Sequence, residues 1–193
     1  MLKKYLFLLL TIFGCQSIPK IKKITIPMGE EEITLIWVSS GSFTMGSSAH
    51  MAKNDEKPPH KIYMDGFWMT ETPITNNQFR AFINSTNYLT TAEVAPSLED
   101  IMSQLPKGTT PPSIESLVPG SLIFTGSDVP AKSYSLIDWW EWSPNTNWKN
   151  PHQEVSKLEG LGDRPVVHVS WYDAIEFSVW SGMDLPTEAQ WEY

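Results

Sequence analysis

Residues 164–193 read RPVVHVSWYDAIEFSVWSGMDLPTEAQWEY, and this stretch decides the fold. It begins with a β-branched run at residues 166–169, which predicts a short strand. Ser170 stands three residues before Asp173, the spacing of a capping box in which each side chain accepts a hydrogen bond from the other residue's backbone N–H. Apolar residues then recur at helical spacing, and Gly182 readily adopts the left-handed conformation that ends a helix. The stretch therefore predicts a strand followed by a capped helix.

A second helix is predicted immediately after Pro186. Thr187 stands three residues before Gln190, which is the spacing of another capping box. Residues 188–193 make fewer than two turns, which is too short to overcome the cost of helix nucleation unaided. On this argument the domain is expected to continue beyond Tyr193.

The sequence resembles a known family at four motifs. Residues 164–174 (RPVVHVSWYDA) and 185–193 (LPTEAQWEY) resemble two motifs in the N-terminal half of the formylglycine-generating, sulfatase-modifying factor family. Residues 41–46 (GSFTMG) resemble that family's opening, and residues 71–79 (ETPITNNQF) resemble its approach to a helix. The resemblance implies an α+β domain of the sulfatase-modifying, C-type-lectin-like type, with much irregular structure and truncated at the C-terminus. Residues 31–193 are then the N-terminal part of that domain.

The N-terminus has the three parts of an export signal. Lys3 and Lys4 precede an apolar run at residues 5–13, which is too short to span a bilayer as a helix, and Gly14 precedes Cys15. The last four of these residues, IFGC, resemble a bacterial lipobox. An ordinary secretory signal with a chance cysteine is the alternative.

We therefore expect a signal peptide at residues 1–14, lipid attachment at Cys15 and a lipidated tether over residues 15–30. The protein is predicted to be exported and anchored by its lipid to a membrane of the bacterial cell envelope. Loss of residues 1–14 removes two of the 14 basic residues and none of the 22 acidic ones, so the formal charge changes from −8 to −10.

Composition limits the classes of function. The chain has 193 residues, 41% of them hydrophobic, and nine tryptophans, which is enough for one domain with a hydrophobic core. The net charge of −8 argues against a nucleic-acid partner, because the phosphates would be repelled.

Alternating apolar residues predict four strands in two hairpins. Residues 33–38 and 42–46 are predicted to form the first hairpin. Residues 60–64 and 67–70 are predicted to form the second, because the Asp-Gly pair at 65–66 is a strong signal for a two-residue turn.

A helix and a long irregular segment are predicted next. Thr75 and Gln78 have capping-box spacing, and Asn87 is a suitable helix end because it tolerates positive φ. From Thr90 to Lys157 prolines accumulate, so this segment is predicted to be mostly irregular, with residues 121–125 as its one clear strand.

The irregular segment contains four tryptophans, Trp139, Trp140, Trp142 and Trp148. Aromatic anchors that fix an irregular segment to the core are the favoured interpretation. The alternative is that Trp139, Trp140 and Trp148 bind a peptide or a sugar by stacking. Residues 121–126 and 139–151 also resemble the sulfatase-modifying branch of the family.

The histidines do not predict a metal site. The four, His50, His60, His152 and His168, lack the spacing of metal ligands. His168 is predicted to be a structural residue, with its ring hydrogen-bonded, inside the strand at 166–169.

The resemblance implies an oxidase that uses molecular oxygen and copper to convert a cysteine of a sulfatase polypeptide into formylglycine. In the family, two cysteines hold the copper, and they lie with the calcium ligands in the C-terminal part. Cys15 is the only cysteine of this sequence and belongs to the predicted signal. No catalytic residue or metal ligand is therefore assigned in this chain, and the chain alone is predicted to be inactive.

Two functions stay open. One is a sulfatase-maturating oxidase, which the motifs favour narrowly. The other is a non-catalytic lipoprotein of the same fold, acting as a binding or envelope-assembly module like the family's gliding-motility relatives. A membrane tether favours this second function, because many sulfatases outside the cytoplasm are already folded. The partner is accordingly a sulfatase polypeptide or another envelope protein.

Overall fold

The structure is a computed structural model that describes residues 21–126, 139–151 and 158–193. The predicted signal peptide, Cys15 and His152 lie outside the described residues. The strands and helices are β1 (Lys23–Met28), β2 (Glu31–Val38), β3 (Gly41–Met45), β4 (His60–Met64), β5 (Phe67–Thr70), α1 (Asn76–Thr86), α2 (Leu98–Gln104), β6 (Gly120–Phe124), β7 (Trp140–Pro144), α3 (Trp171–Ser181) and α4 (Glu188–Glu192).

The strands form three small antiparallel sheets. Strand β2 lies between β1 and β5, β3 pairs with β4, and β6 pairs with β7. The four strands predicted between residues 33 and 70 are present. Both predicted hairpins are wrong, because β2 does not pair with β3 and β4 does not pair with β5. Gly66 explains the second error. It does not adopt the positive φ of the expected turn, and a Cβ there would overlap the Trp37 ring.

Strand β1 lies within the segment predicted to be a tether. Lys23 forms an ion pair with Glu71, and Met28 is buried in the core. The Lys22 ammonium also lies 5.2 Å from the ring centroid of Trp68. The folded domain therefore begins before residue 31, and the predicted boundary is corrected to the start of β1.

The predicted helix ends are confirmed. Thr75 caps α1, Ser170 caps α3 and Thr187 caps α4, each through a reciprocal capping box. Asn87 ends α1 with φ 56° and Gly182 ends α3 with φ 68°, both in the left-handed region. Local capping chemistry thus acts as the sequence predicts.

The strand predicted at residues 166–169 is absent. His168 has φ 57°, which interrupts an extended ladder. The pairing of this stretch is limited to an isolated bridge between Pro165 and Thr75, next to a hydrogen bond from the Val166 N–H to the Ile74 carbonyl. The described parts of the segment between Thr90 and Lys157 are more regular than predicted. Strand β6 is confirmed, whereas α2 and β7 were not predicted.

Aromatic side chains dominate the core. Phe79 of α1 stacks on Phe177 of α3 with the ring centroids 5.9 Å apart, and the Trp148 ring meets Phe79 edge-on at 5.3 Å. Burying each such side chain contributes roughly 1.5–3 kcal/mol. The core cluster consists of Met28, Ile33, Leu35, Phe79, Phe82, Trp148 and Phe177.

The short helix α4 is held by tertiary contacts. Glu192 accepts a hydrogen bond from the Gly46 backbone N–H at 2.8 Å. The Tyr193 hydroxyl donates to the Ser39 carbonyl at 3.0 Å, and its ring packs against Phe43. These contacts supply the stability that so short a helix lacks by itself.

Across the described ranges, we find no helix with the length and apolarity needed to cross a membrane.

Candidate functional site

The β6–β7 hairpin carries a row of exposed apolar side chains. Leu122 lies opposite Trp142, and Phe124 lies opposite Trp140. Because alternate residues of a strand share a face, these four side chains form one surface, which we call the aromatic strip. They are between 42% and 61% exposed. The centroid of the Phe124 ring lies 5.6 Å from that of Trp140 and 6.3 Å from that of Trp139, so both tryptophans meet Phe124 at one end of the strip.

Buried polar contacts fix the hairpin to the domain. On the other face of β7, the Ser143 hydroxyl is buried and hydrogen-bonded to Thr146. The His168 ring spans two segments, with Nδ1 2.9 Å from the Ser121 hydroxyl and Nε2 3.2 Å from the Pro151 carbonyl. The prediction that His168 is a hydrogen-bonded structural residue is therefore confirmed, although the residue does not lie in a strand.

Trp148 lies apart from the strip. It is 2% exposed, and its indole N–H donates to the Glu93 carboxylate at 3.3 Å. The structure therefore brings Trp139 and Trp140 together and places Trp148 in the core. Trp148 therefore fits the interpretation that an aromatic side chain anchors the irregular segment to the core. Its ring has almost no exposed surface with which to bind a peptide.

Glu93 connects the segment before α2 to the Trp148 segment. Its carboxylate accepts hydrogen bonds from the Thr90 N–H at 3.1 Å, the Thr90 hydroxyl at 2.8 Å and the Lys149 ammonium at 2.6 Å. Burial raises the pKa of the Glu93 carboxyl, but the hydrogen bonds from Lys149 and Thr90 outweigh burial and hold the pKa below its ordinary value. Glu93 is therefore a charged structural link.

Asp173 is the corresponding link at the start of α3. It is fully buried, and its carboxylate accepts from the Ser170 N–H at 2.6 Å, the Thr91 N–H at 2.9 Å and the Tyr88 hydroxyl at 3.0 Å. Burial, together with the hydrogen bond to Asp173, raises the pKa of Tyr88 to about 12. The capping spacing predicted the Ser170 contact, whereas no local pattern identifies Tyr88 or Thr91, because they lie far away in sequence.

A cavity of about 570 Å³ opens between β5, α3 and α4. Leu35, Phe79 and Phe177 form its buried inner wall. The polar residues of its lining include Asp184 and Gln190. We call this cavity the apolar groove. The arrangement suits apolar contact, and no pair of titratable groups in its lining suits proton transfer.

Comparison with known proteins identifies the family. The family model described as the sulfatase-modifying factor enzyme 1-like domain matches residues 25–193. The chain belongs to this family. The match confirms the predicted resemblance, and the mixed arrangement of small sheets and few helices agrees with the predicted fold class.

The similar proteins include formylglycine-generating enzymes and a protein whose name describes it as inactive. Formylglycine-generating enzyme of Mycobacterium tuberculosis is 33% identical over 163 residues, which cover 82% of this chain and 50% of that protein. Formylglycine-generating enzyme of Bos taurus is 32% identical over 82% of this chain and 38% of its own length. Inactive C-alpha-formylglycine-generating enzyme 2 of Mus musculus is 29% identical over 84% of this chain and 48% of its own length. The chain thus spans about half the length of these relatives, or less.

The described residues do not fit the two metals that the sulfatase-modifying family implies. Soft thiolate ligands are the ones that select monovalent copper, and the described residues contain no cysteine. Calcium requires six to eight oxygen ligands. Asn76 has a buried side-chain oxygen without a hydrogen-bond partner, but no cluster of three His, Cys, Asp or Glu side chains suited to a metal occurs in residues 21–126, 139–151 or 158–193.

Proposed function

We propose that this chain is the first half of a formylglycine-generating oxidase domain that converts a cysteine of a sulfatase polypeptide into formylglycine. The observation that carries the proposal is the 33% identity to a formylglycine-generating enzyme, over 82% of the chain, together with the family match at residues 25–193. In this proposal the described residues supply the scaffold and contacts to the polypeptide, and none of them is a catalytic residue.

The chemistry of the proposal belongs to groups outside the described residues. Conversion of the cysteine –CH2SH group to an aldehyde is a two-electron oxidation in which the C–S bond breaks, a C=O bond forms and the sulfur leaves as sulfide. Molecular oxygen would accept the two electrons, and copper bound by soft thiolates would supply the redox chemistry. Copper and calcium, which the family resemblance implies, are proposed as cofactors of the whole domain. The Glu93 and Asp173 carboxylates already accept several hydrogen bonds from other residues of the protein, so neither is free to act on a substrate.

The aromatic strip is the surface that we assign to the polypeptide partner. Trp140 is half exposed at one end of it, beside Phe124 and Trp139. Aromatic side chains supply large contact areas at small entropic cost, so they are frequent anchors for peptides. Trp139 and Trp140 remain candidate peptide contacts, and Trp148 is removed from that set by its burial.

The test of this function uses the protein as its gene encodes it. Given copper and oxygen, that protein is expected to convert the cysteine of a sulfatase-motif peptide to the aldehyde, seen as a loss of mass. Removal of copper with a chelator is expected to abolish conversion, and replacement of either of two paired cysteines by serine should do the same. A protein that carries both cysteines and leaves the peptide unchanged would refute the oxidase proposal.

A non-catalytic module of the same fold is the second candidate. The observation in its favour is the 29% identity to an inactive relative over a similar share of the chain. Such a module would bind another envelope protein through the same exposed surfaces. The conversion assay separates the two candidates, because the module binds without changing the mass of any peptide.

Lipid anchoring at Cys15 is part of both proposals. A charged start, a short apolar run and Gly14 before the thiol support it. We expect wild-type protein made in a bacterial host to enter the detergent phase and to gain the mass of a lipid, and Cys15→Ser to do neither. Equal recovery of both proteins in the aqueous phase would disprove the anchor and, with it, the proposed location on an envelope membrane.

A further inference from the structure

The chain enters the folded domain at the start of β1. The Trp37 N–H donates to the Lys22 carbonyl at 2.9 Å. The Lys22 ammonium lies over the rings of Trp37 and Trp68, 5.4 and 5.2 Å from their centroids. Ile21 beside it is 64% exposed. We call residues 21–23, together with Trp37 and Trp68, the entry end of the domain.

Only a few residues separate the entry end from the predicted lipid. Cys15 precedes Ile21 by six positions in the sequence. An extended chain gains at most about 3.6 Å per residue, so six residues reach no farther than roughly 22 Å. A small domain is itself about 30 Å across. A lipid at Cys15 therefore holds the entry end closer to the membrane than the width of a domain.

Charge is distributed unevenly along the chain that would remain after loss of residues 1–14. Residues 15–28 contain three lysines, Lys20, Lys22 and Lys23, and no acidic residue. The rest of that chain has nine basic and 22 acidic residues, a formal charge of −13. Anionic headgroups attract lysines close to a membrane surface and repel an acidic surface. This asymmetry favours an orientation with the entry end toward the lipid.

Two carboxylates lie near the three lysines. Glu71 forms an ion pair with Lys23 and offsets its charge. The exposed Asp65 precedes the glycine that packs on the Trp37 ring. The lysines still outnumber these carboxylates, so the charge of the entry end is opposite in sign to that of the remaining domain.

The aromatic strip lies near the other end of α3. The His168 ring, close to the start of α3, contacts Ser121 of β6. Gly182, which ends α3, lines the apolar groove together with Phe67, and Phe67 pairs with Val38 beside the entry end. Helix α3 has 11 residues and is therefore about 16 Å long. Roughly this length separates the base of the strip from the entry end.

We propose that the domain rests on anionic phospholipid headgroups through its entry end, with the aromatic strip directed away from the membrane. Ile21 adds an exposed apolar side chain of the kind that enters the boundary between headgroups and acyl chains. This orientation rests on the lipid anchor proposed at Cys15. It leaves the strip open to a polypeptide while the lipid holds the domain close to the membrane.

Native lysines can report which end of the domain meets the lipid. The protein encoded by the whole gene is made from residue 15 onward with Cys15→Ser and a preceding hexahistidine tag, and is bound to vesicles that contain nickel-chelating lipid. This tether replaces the natural lipid, so the result does not depend on whether a cell lipidates Cys15. A soluble amine reagent labels the protein with and without vesicles, and mass spectrometry gives the rate at each lysine. Lys107 is the matched control, since it is exposed in the segment that leads into β6.

On vesicles of phosphatidylethanolamine and phosphatidylglycerol, labelling of Lys20 and Lys22 is expected to be at least roughly fivefold slower than without vesicles, and labelling of Lys107 to be unchanged. On phosphatidylcholine vesicles with the same chelating lipid, this protection should be lost. Equal protection on both kinds of vesicle would overturn the proposal, because the tether alone would then explain it. Protection of Lys107 as strong as that of Lys22 would also overturn it.

A charge reversal tests the same contact in a second way. Lys20→Glu combined with Ile21→Glu should restore the labelling of Lys22 on the anionic vesicles to its rate without vesicles. Lys107→Glu, which removes one positive charge at a distant site, should leave the protection of Lys22 unchanged. Undiminished protection in the double variant would overturn the proposed contact. Failure of the lipid anchor is a separate result, seen only in the detergent partitioning of the Cys15→Ser protein.

Discussion

At the scale of single residues, the fold depends on two carboxylates, the buried one of Asp173 and the partly buried one of Glu93, which join segments distant in sequence. Asp173 joins α3 to Tyr88 and Thr91, and Glu93 joins its segment to Lys149. The capping contact of Asp173 was predictable, because it lies within one helical turn of Ser170. Its long-range contacts were not, because no local spacing encodes which distant donor will meet a buried carboxylate.

Removal of the helix cap and removal of the buried charge should lower the free energy of unfolding by different amounts. Ser170→Ala should lower the free energy of unfolding by about 1 kcal/mol, because it loses a cap. Asp173→Asn should lower it by roughly 2 to 3 kcal/mol, because a buried charged acceptor of several hydrogen bonds is lost. Urea unfolding at equal m-value measures both. An unchanged midpoint in both variants would mean that this carboxylate does not hold the start of α3.

Glu93 should make stability depend on acidic pH. The folded pKa lies below the unfolded value of about 4.3, so the stabilisation is present above that pH and is lost as pH falls through the folded pKa. Glu93→Gln should weaken this acid dependence of the free energy of unfolding. Glu99→Gln serves as the control, because that side chain is exposed on α2. Identical acid profiles for wild type and Glu93→Gln would contradict the assigned hydrogen bonds.

At the scale of elements, the helix caps were predicted better than the pairing partners of the strands. A capping box and the left-handed residue that ends a helix both depend only on residues of that helix. The caps predicted at Thr75, Ser170 and Thr187 are confirmed. Strand pairing is different, because alternation shows which face is buried and does not name the neighbour. Strands β2 and β4 were therefore given wrong partners. The positive φ of His168 ended a β-branched run that favoured a strand.

Substitutions of Trp148 and Trp140 should have separate effects, one on the stability of the domain and the other on peptide binding. Trp148→Ala should lower the free energy of unfolding by roughly 3 to 5 kcal/mol, since it empties a buried site. Trp140→Ala should change it little, since Trp140 is half exposed, but should weaken binding of a sulfatase-motif peptide several-fold. Thermal unfolding and peptide titration give the two quantities. Unchanged peptide affinity in Trp140→Ala would remove the aromatic strip from the proposed substrate contacts.

At the scale of the whole molecule, the motifs predicted the family and the fold class, and the family match confirms both. They predicted less of the candidate site. The aromatic strip depends on the pairing of β6 with β7. Strand β7 was not predicted, because it lies in a segment whose many prolines favoured irregular structure. The apolar groove could not be predicted at all, because it is formed by side chains from β2, β5, α1, α3 and α4 that meet only after folding.

The most direct test of the account is an activity measurement on the 193-residue chain alone. Under the proposed function, the described residues supply scaffold and contacts to the polypeptide, and the groups that carry out the oxidation lie outside this chain. Incubated with copper, oxygen and a sulfatase-motif peptide, this chain should leave the peptide mass unchanged, while the protein encoded by the whole gene forms the aldehyde. Aldehyde formation by residues 1–193 alone would contradict the assignment of the chemistry to groups outside this chain.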